Sequence, residues 1–425
     1  MAPDLVPRLT DRSAVVGVIG LGYVGLPLAA AFAEVGFRVL GFDTDPEKIG
    51  ALRAGRCYIR HLDAARVARL VEGGRLEPTA DLDRLGEPDA LLLCVPTPLT
   101  PQREPDLSFV RATAEAVARR LRPGQLVVLE STTYPGTTDE VLRPVLEAGG
   151  LAAEEDFLLA YSPEREDPGN AAHTTTSIPK VVGGVGPASR AAAVTLYEQV
   201  SPRVVPVSSP AVAEATKLTE NIFRAVNIAL VNELKLVYDR MGIDVWEVLD
   251  AAATKPFGFM RFDPGPGWGG HCIPVDPFYL SWKAREHGLT ARFVELAGEV
   301  NVAMPEHVVG KVFRALNERG KPVRGSRVLV LGLAYKKNVD DPRESPAFEV
   351  IDHLLELGAR VSYHDPLIPR APAMRTWPGL PRLESVALTA ETLREADAVV
   401  VVTDHDGVDY DLVAEHAPLV IDTRG

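Results

Sequence analysis

The chain changes hydrophobic rhythm twice along its length. In the N-terminal part, short apolar runs at 14–19, 38–42, 90–95, 126–130 and 157–161 alternate with amphipathic, Ala-rich stretches. Runs of that length, apolar without strict alternation, predict strands buried on both faces of a parallel sheet. Near Pro210 the spacing becomes three-and-four, through Val212, Ala215, Leu218, Ile222, Phe223, Val226, Leu230, Leu234 and Val237. That pattern predicts one helix over 210–241, on the order of 45 Å long and able to join two domains. Helical patterning continues to Ala253, and again from Pro277 to about Leu316 with polar and proline breaks. The strand rhythm returns at 328–331, 360–365, 398–402 and 419–422. The prediction is an α/β protein with two doubly wound domains joined by a central helical region. Its expected segments are 1–208, 209–320 and 321–425, the last boundary lying in the Pro- and Gly-bearing stretch 321–326.

The first strand ends in Gly20-Leu-Gly22-Tyr23-Val24-Gly25, and the second ends in Asp43. Strand, glycine loop, helix, strand and acid in that order make the first domain Rossmann-like. One glycine turns the chain, the next lets a pyrophosphate reach the backbone, and the third packs the helix on the sheet. Phosphate charge then meets the helix N-terminus. Asp43 is placed to accept from a ribose 2′-hydroxyl and would repel a 2′-phosphate, which favours NAD over NADP. Lys48 either flanks the adenosine or is a solvated helix lysine. Loops after later strands supply further contacts at the sheet's carboxyl edge: Val95, Pro96 and Thr97, then Thr132 in a hydroxyl-rich segment, then Glu164 and Arg165. In the last domain the order of strand-glycine, strand-Asp and apolar strand repeats without the full glycine motif. It is expected to bind a nucleotide through a different loop, with Lys336, Lys337 and Arg343 supplying positive charge.

Composition narrows the classes. At 425 residues with ordinary apolar and charged fractions, the chain can bury two or three cores. A formal charge of −13 disfavours nucleic acid. No apolar run reaches membrane-spanning length, and the first residues read as neither signal peptide nor anchor. The three cysteines, Cys57, Cys94 and Cys272, are few and odd in number, which points to a reducing compartment and a cytoplasmic protein. Cys94 reads as core. Cys272 does not, because it follows Pro264-Gly-Pro-Gly-Trp-Gly-Gly270, a backbone built for tight turns and close approach. Asp276 lies close enough in sequence to share its pocket. Lys217 and Asn221, four apart, project from one face of the long helix. No metal is expected.

Gly20-Leu-Gly-Tyr-Val-Gly-Leu-Pro27, Val95-Pro-Thr-Pro98, Ser162-Pro-Glu-Arg165, Lys217 with Glu220-Asn221, Pro264-Gly-Pro-Gly267 and Gly269-Gly-His-Cys-Ile-Pro-Val-Asp276 together resemble the UDP-glucose/GDP-mannose dehydrogenase family. The resemblance covers nearly the whole chain, and the UDP-N-acetylglucosamine 6-dehydrogenase branch is the most similar part of the family. Asp263 and Trp268 depart from the pattern, where Tyr and Leu are common.

The resemblance implies a four-electron oxidation of a UDP-sugar at C6, with NAD as cofactor. Cys272 would hold the aldehyde as a thiohemiacetal and then a thioester. Lys217 would stabilise oxyanions, and Asn221 would donate to the same oxygen or to water. Asp276 would position or deprotonate the attacking water. Thr132 and Glu164 would lie near the nicotinamide and C6, with Glu164 orienting the sugar or sharing the base role. Arg165 joins the substrate contacts. Arg261, Phe262, Gly265 and Lys336 would hold the UDP end, Gly269 would leave room for the sugar, and Arg343 would reach NAD. The long apolar stripe predicts a homodimer packed through the helix. UDP-glucose and UDP-N-acetylmannosamine stay open as substrates. A single-step NAD(P)-dependent hydroxyacid dehydrogenase and a non-catalytic NAD- and nucleotide-binding regulator are the alternatives of other classes. Polysaccharide precursor synthesis is the family's expected pathway.

Overall fold

A computed structural model of the chain describes residues 5–59, 62–100, 102–165, 177–270, 273–374 and 376–425. The chain forms two compact units, one of Met1–Glu220 with Trp282–Leu289, the other of Asn221–Ser281 with Thr290–Gly425. The division falls inside the helix Pro210–Met241. That helix has the bounds its apolar spacing predicts.

The first unit carries eight strands: β1 (Val15–Ile19), β2 (Arg38–Phe42), β3 (Leu76–Thr79), β4 (Ala90–Leu93), β5 (Leu126–Leu129), β6 (Leu158–Tyr161), β7 (Lys180–Gly184) and β8 (Val204–Val207). They form one sheet in the order β3-β2-β1-β4-β5-β6-β7-β8. Every neighbouring pair is parallel except β6 and β7. The apolar runs gave five of these strands. The other three lack that signal for physical reasons: β3 and β8 are the sheet's edges and contain Pro78 and Pro206, and β7 opens on Lys180 and ends in Gly183 and Gly184, which leaves it only two apolar residues. Between the strands run helices such as Gly25–Glu34 and Pro187–Tyr197, whose Phe32 and Tyr197 are fully buried with Val16, Val18 and Phe37 in one core.

In the second unit β9 (Arg327–Leu331), β10 (Arg360–His364), β11 (Ala398–Val401) and β12 (Val420–Asp422) make a parallel sheet ordered β10-β9-β11-β12. Alternate residues of β9 serve opposite faces. Val328 and Val330 pack with Val312, Phe348 and Ile351, whereas Leu329 and Leu331 pack with Leu393, Val399 and Val413. The central strands β9 and β11 are therefore buried on both sides, as their apolar runs require. The helical stretch expected over 277–316 is three helices, Asp276–Glu286, Arg292–Val302 and Met304–Glu318, the last started by Pro305.

A buried charge cluster fixes the one antiparallel junction. Lys180 opens β7, and its Nζ lies 2.7 Å from Oε2 of Glu130, the residue after β5. It also donates to the Pro163 carbonyl at 3.2 Å. The Tyr197 hydroxyl donates to the other oxygen of Glu130. Burial works against the Lys180 ammonium, but the Glu130 and Glu164 carboxylates outweigh it and hold its pKa above the ordinary value. A lysine and a glutamate this deeply buried persist only as partners.

Removing one partner leaves the other charge stranded. Lys180→Met is expected to destabilise the protein by about 3 kcal/mol or more in denaturant titration, with part of the loss recovered in the Lys180→Met/Glu130→Gln double variant. A Lys180→Met protein as stable as wild type would refute this account of β7.

Candidate active site

In the first unit the site begins at the carboxyl edge of the sheet. The register pairs Ile19 with Phe42, so Gly20 and Asp43 emerge side by side. Gly20 donates its N–H to the Phe42 carbonyl at 2.7 Å, and Leu21 N–H donates to Asp43 Oδ2 at 2.9 Å. Asp43 also accepts from Asp45 N–H at 2.9 Å and from Lys48 Nζ at 3.1 Å. Three donors on a carboxylate with about four lone-pair directions leave one direction for a ribose hydroxyl. Lys48 is thus tied to Asp43 by an ion pair.

The glycines divide the work as the spacing predicts. Gly20 has φ +92°, and a Cβ on Gly25 would lie 1.8 Å from the Gly20 oxygen. A Cβ on Gly22 would meet no atom within 4 Å. The backbone is thus clear at the position where a pyrophosphate must approach, and the site fits NAD. Tyr23 packs against the core, and Val24 leads into the helix Gly25–Glu34.

Neighbouring loops are pinned along the same edge. Ser131 Oγ donates to the Val95 carbonyl at 2.7 Å, joining the loop of Val95, exposed Pro96 and buried Thr97 to that of half-buried Thr132. The adjacent Thr133 hydroxyl is buried with no hydrogen-bond partner among the described residues. Glu214, on the first turns of the helix Pro210–Met241, accepts from Gly136 N–H at 2.6 Å and from Thr138 N–H and Oγ1 at 2.9 and 2.7 Å. Burial pushes its carboxyl up to about 7 against those donors. Lys217, one turn further on, is 7% exposed. Glu164 accepts from Arg165 N–H at 2.7 Å, and its Oε2 lies 3.6 Å from Lys180 Nζ. Arg165 has a structural engagement: its guanidinium binds Glu220 at 2.6 and 3.2 Å and the Pro179 carbonyl at 2.7 Å.

Within the second unit, Asn221 Nδ2 donates to Asp276 Oδ2 at 2.5 Å, and both side chains are buried. Asp276 is the first residue of the helix Asp276–Glu286. Cys272 lies outside the described residues, as does His271 before it. The glycine-rich loop leading to them is held by a relay of buried amides. Gly265 N–H donates to Asn232 Oδ1 at 2.9 Å, Asn232 Nδ2 to Asn301 Oδ1 at 2.8 Å, and Asn301 Nδ2 to the Ala225 carbonyl at 3.1 Å. At Gly269 the structure corrects the expected reason for glycine. A Cβ there would lie 2.8 Å from Tyr335 Cβ and 3.0 Å from the Glu344 carbonyl, so the clearance is filled by protein and not left for a sugar. Gly270 N–H donates to the Arg343 carbonyl at 3.1 Å.

The remaining expected contacts sit as follows. Arg261 is exposed and paired with Asp263 at 2.8 Å and with Asp250. Phe262 meets Phe223 edge to face at 5.9 Å. Gly265 lies under the Arg424 guanidinium, 2.8 Å from where its Cβ would be. Lys336 is half-buried in the loop after β9, and Arg343 grips Asp341 at 2.6 to 3.0 Å within its own unit. Glu130, Lys180, Glu214, Asn232 and Asn301 were missed in the sequence. Glu130 carried a signal, an acid ending an otherwise apolar strand; lone amides on a helix carry none.

Gly22→Ala and Gly25→Ala should separate ligand clearance from folding. The first is expected to keep the melting temperature while weakening NAD binding at least about tenfold; the second should lower stability itself, since the loop must move. Equal effects of the two on stability would contradict this division of labour.

The sequence comparisons agree along the chain. The UDP-glucose/GDP-mannose dehydrogenase family matches through its NAD binding domain at residues 14–201, its central domain at 211–303 and its UDP binding domain at 329–425. A UDP-N-acetyl-D-glucosamine 6-dehydrogenase of Pseudomonas aeruginosa is 40% identical over 85% of each chain. An NDP-N-acetyl-D-galactosaminuronic acid dehydrogenase of Ralstonia nicotianae is 37% identical over 96% of this chain and 95% of its own. Among solved structures, a UDP-D-ManNAc dehydrogenase of Pyrococcus horikoshii superposes with a TM-score of 0.87 at 32% identity, covering 97% of this chain and 95% of that one.

Proposed function

Because the chain belongs to the UDP-glucose/GDP-mannose dehydrogenase family of NAD-dependent oxidoreductases, we propose that it oxidises the C6 hydroxymethyl of UDP-N-acetylglucosamine to a carboxylate. The buried Asn221–Asp276 hydrogen bond carries the reading, because it places an oriented carboxylate four residues after Cys272 in sequence. Similarity to the Pseudomonas relative favours N-acetylglucosamine. The Pyrococcus structure favours a second reading, UDP-N-acetylmannosamine, which differs only in configuration at C2.

When bound, NAD would supply the hydride acceptor, one molecule for each of two oxidations and four electrons in all. The chain's own residues handle the carbon between them. The Cys272 thiolate adds to C6 of the aldehyde, forming a C–S bond and a thiohemiacetal. Loss of the second hydride leaves a thioester, and water attacks C6, breaking that bond to release carboxylate and thiol. Asp276 takes the proton from the water, held in orientation by the Asn221 amide. Lys217 supplies positive charge to the C6 oxyanion, and Thr132 and Glu164 line the approach to it. Gly22, Asp43 and the loops at Val95 and Thr132 hold NAD, with Arg343 as a further contact. Arg261, Phe262, Gly265 and Lys336 hold the uridine nucleotide. We assign 1–208 to NAD binding, 209–320 to catalysis and dimerisation, and 321–425 to the UDP-sugar. The proteins with such reactions feed polysaccharide precursors, and the sparse cysteines favour the cytoplasm.

Incubating the protein with NAD and, in parallel, UDP-GlcNAc, UDP-ManNAc, UDP-Glc and UDP-GalNAc tests the reading. About two NADH per UDP-GlcNAc are expected, with Cys272→Ser reducing turnover at least about a hundredfold. One NADH per sugar, or full turnover by the variant, overturns the thiol route; two NADH on another sugar overturns the substrate.

The dimer reading is supported by the surface of the long helix. Phe223, Leu230 and Val237, seven apart and so on one side, are 49%, 50% and 46% exposed. Analytical ultracentrifugation should find a dimer that Leu230→Glu dissociates. A monomeric wild type would end this proposal.

A further inference from the structure

The second sheet repeats the first sheet's device and then closes it. Register pairs Leu331 with His364, so Gly332 and Asp365 emerge side by side, as Gly20 and Asp43 do. Asp365, however, is saturated. Its Oδ2 accepts from Leu333 N–H at 2.7 Å, Ala334 N–H at 3.0 Å and His405 Nε2 at 3.1 Å, and its Oδ1 from Leu367 and Ile368 N–H at 2.8 and 3.0 Å. Five donors exceed the roughly four lone-pair directions of a carboxylate, leaving none for a ribose hydroxyl. The acid holds protein alone, and one of the groups it holds is a histidine.

His405 is fully buried in the segment that follows β11. Its Nδ1 accepts the backbone N–H of Asn338 at 3.0 Å. An imidazole that accepts at Nδ1 carries its proton at Nε2, which is the nitrogen facing Asp365. The ring therefore links the end of β10 to the loop after β9 with both hydrogen bonds defined. Asn338 sits at φ +60°, in the left-handed region that asparagine adopts more readily than most residues with a side chain, and the link holds its N–H in that direction. The segment 403–406 fastens the same loop at both ends. Thr403 Oγ1 donates to the Ala334 carbonyl at 2.6 Å. Asn338 Nδ2 donates to Asp406 Oδ2 at 2.5 Å, Asp406 N–H to Asn338 Oδ1 at 3.0 Å, and Lys337 Nζ lies 2.6 Å from Asp406. Lys336 is carried between those anchors.

We infer that His405 is a positioning residue for the uridine nucleotide, fixing the loop 334–338 and with it Lys336 by accepting the Asn338 N–H. The inference rests on the reading of Lys336 as a UDP contact. Thr403 and Asp365 fix the start of the loop at Ala334 through buried bonds; at its far end the part-buried bond to His405 Nδ1 is directed at the Asn338 backbone and so sets the chain path there, whereas the bonds of Asp406 are exposed and exchange with water at little cost.

Two polar substitutions separate the ring's two hydrogen bonds. His405→Asn places an oxygen near the Nδ1 position and keeps an acceptor for Asn338; His405→Gln reaches toward Asp365 with an N–H but offers Asn338 nothing. With UDP as the probe, calorimetry on the full chain is expected to show about tenfold weaker binding for His405→Gln and a value within about threefold of wild type for His405→Asn. KM for the UDP-sugar should follow, with kcat and NAD affinity unchanged, and hydrogen exchange should speed up in 334–340 in the Gln variant alone. UDP affinity equal to wild type in His405→Gln overturns the inference. So does a parallel loss of melting temperature, NAD affinity and UDP affinity in both variants, which would mark a packing role only. Lys336→Ala serves as the reference: if it binds UDP as wild type does, the nucleotide reading itself fails and takes this inference with it.

Discussion

Both units depend on one constraint, the register of a parallel strand pair that delivers a glycine and a carboxylate together at the sheet's carboxyl edge. Parallel strands release their loops on the same side, so the acid at the end of one strand can receive the backbone N–H groups of the loop that leaves its neighbour. Asp43 takes Leu21 N–H in this way, and Asp365 takes Leu333 and Ala334 N–H. Without those acceptors the loop amides would face either water or a ligand with no fixed direction. The site's polar geometry is thus set by strand pairing first and by individual side chains second.

The two edges differ in what remains after that accounting. Around Asp43 the loop backbone is clear at Gly22 and the carboxylate keeps acceptor capacity. Around Asp365 every direction is used, and His405 closes the corner. Similar backbones thus leave an acceptor direction open at one carboxylate and none at the other. This agrees with the family's NAD binding and UDP binding domains at the two ends of the chain.

What was legible in the sequence was periodic or punctuated by glycine. The helix Pro210–Met241 and strands β1, β2 and β9 were readable because long stripes and unbroken apolar runs leave little competing interpretation. The edge strands β3 and β8 were not, since each needs only half its hydrogen bonds and tolerates proline. Individual chemistry divided along the same line. Asn221 and Asp276 were found through motif spacing, and they meet. Arg165 pairs with Glu220, a contact the sequence did not signal, because an arginine's partner a long way off in sequence leaves no local trace. Lys180 with Glu130, and Asn232 with Asn301, are pairings of the same hidden kind.

Gly22 and Gly25 look equivalent in the motif but are preserved by different pressures. A side chain at Gly25 collides with the chain's own backbone, so foldability alone forbids it, ligand or none. At Gly22 the protein places nothing within reach of a Cβ, so only a bound ligand would object to a side chain there. A descendant that abandoned its cofactor would be free to drift at the first position long before the second. The pair thus serves as an internal record of whether a lineage still uses its ligand, and in this chain both glycines stand.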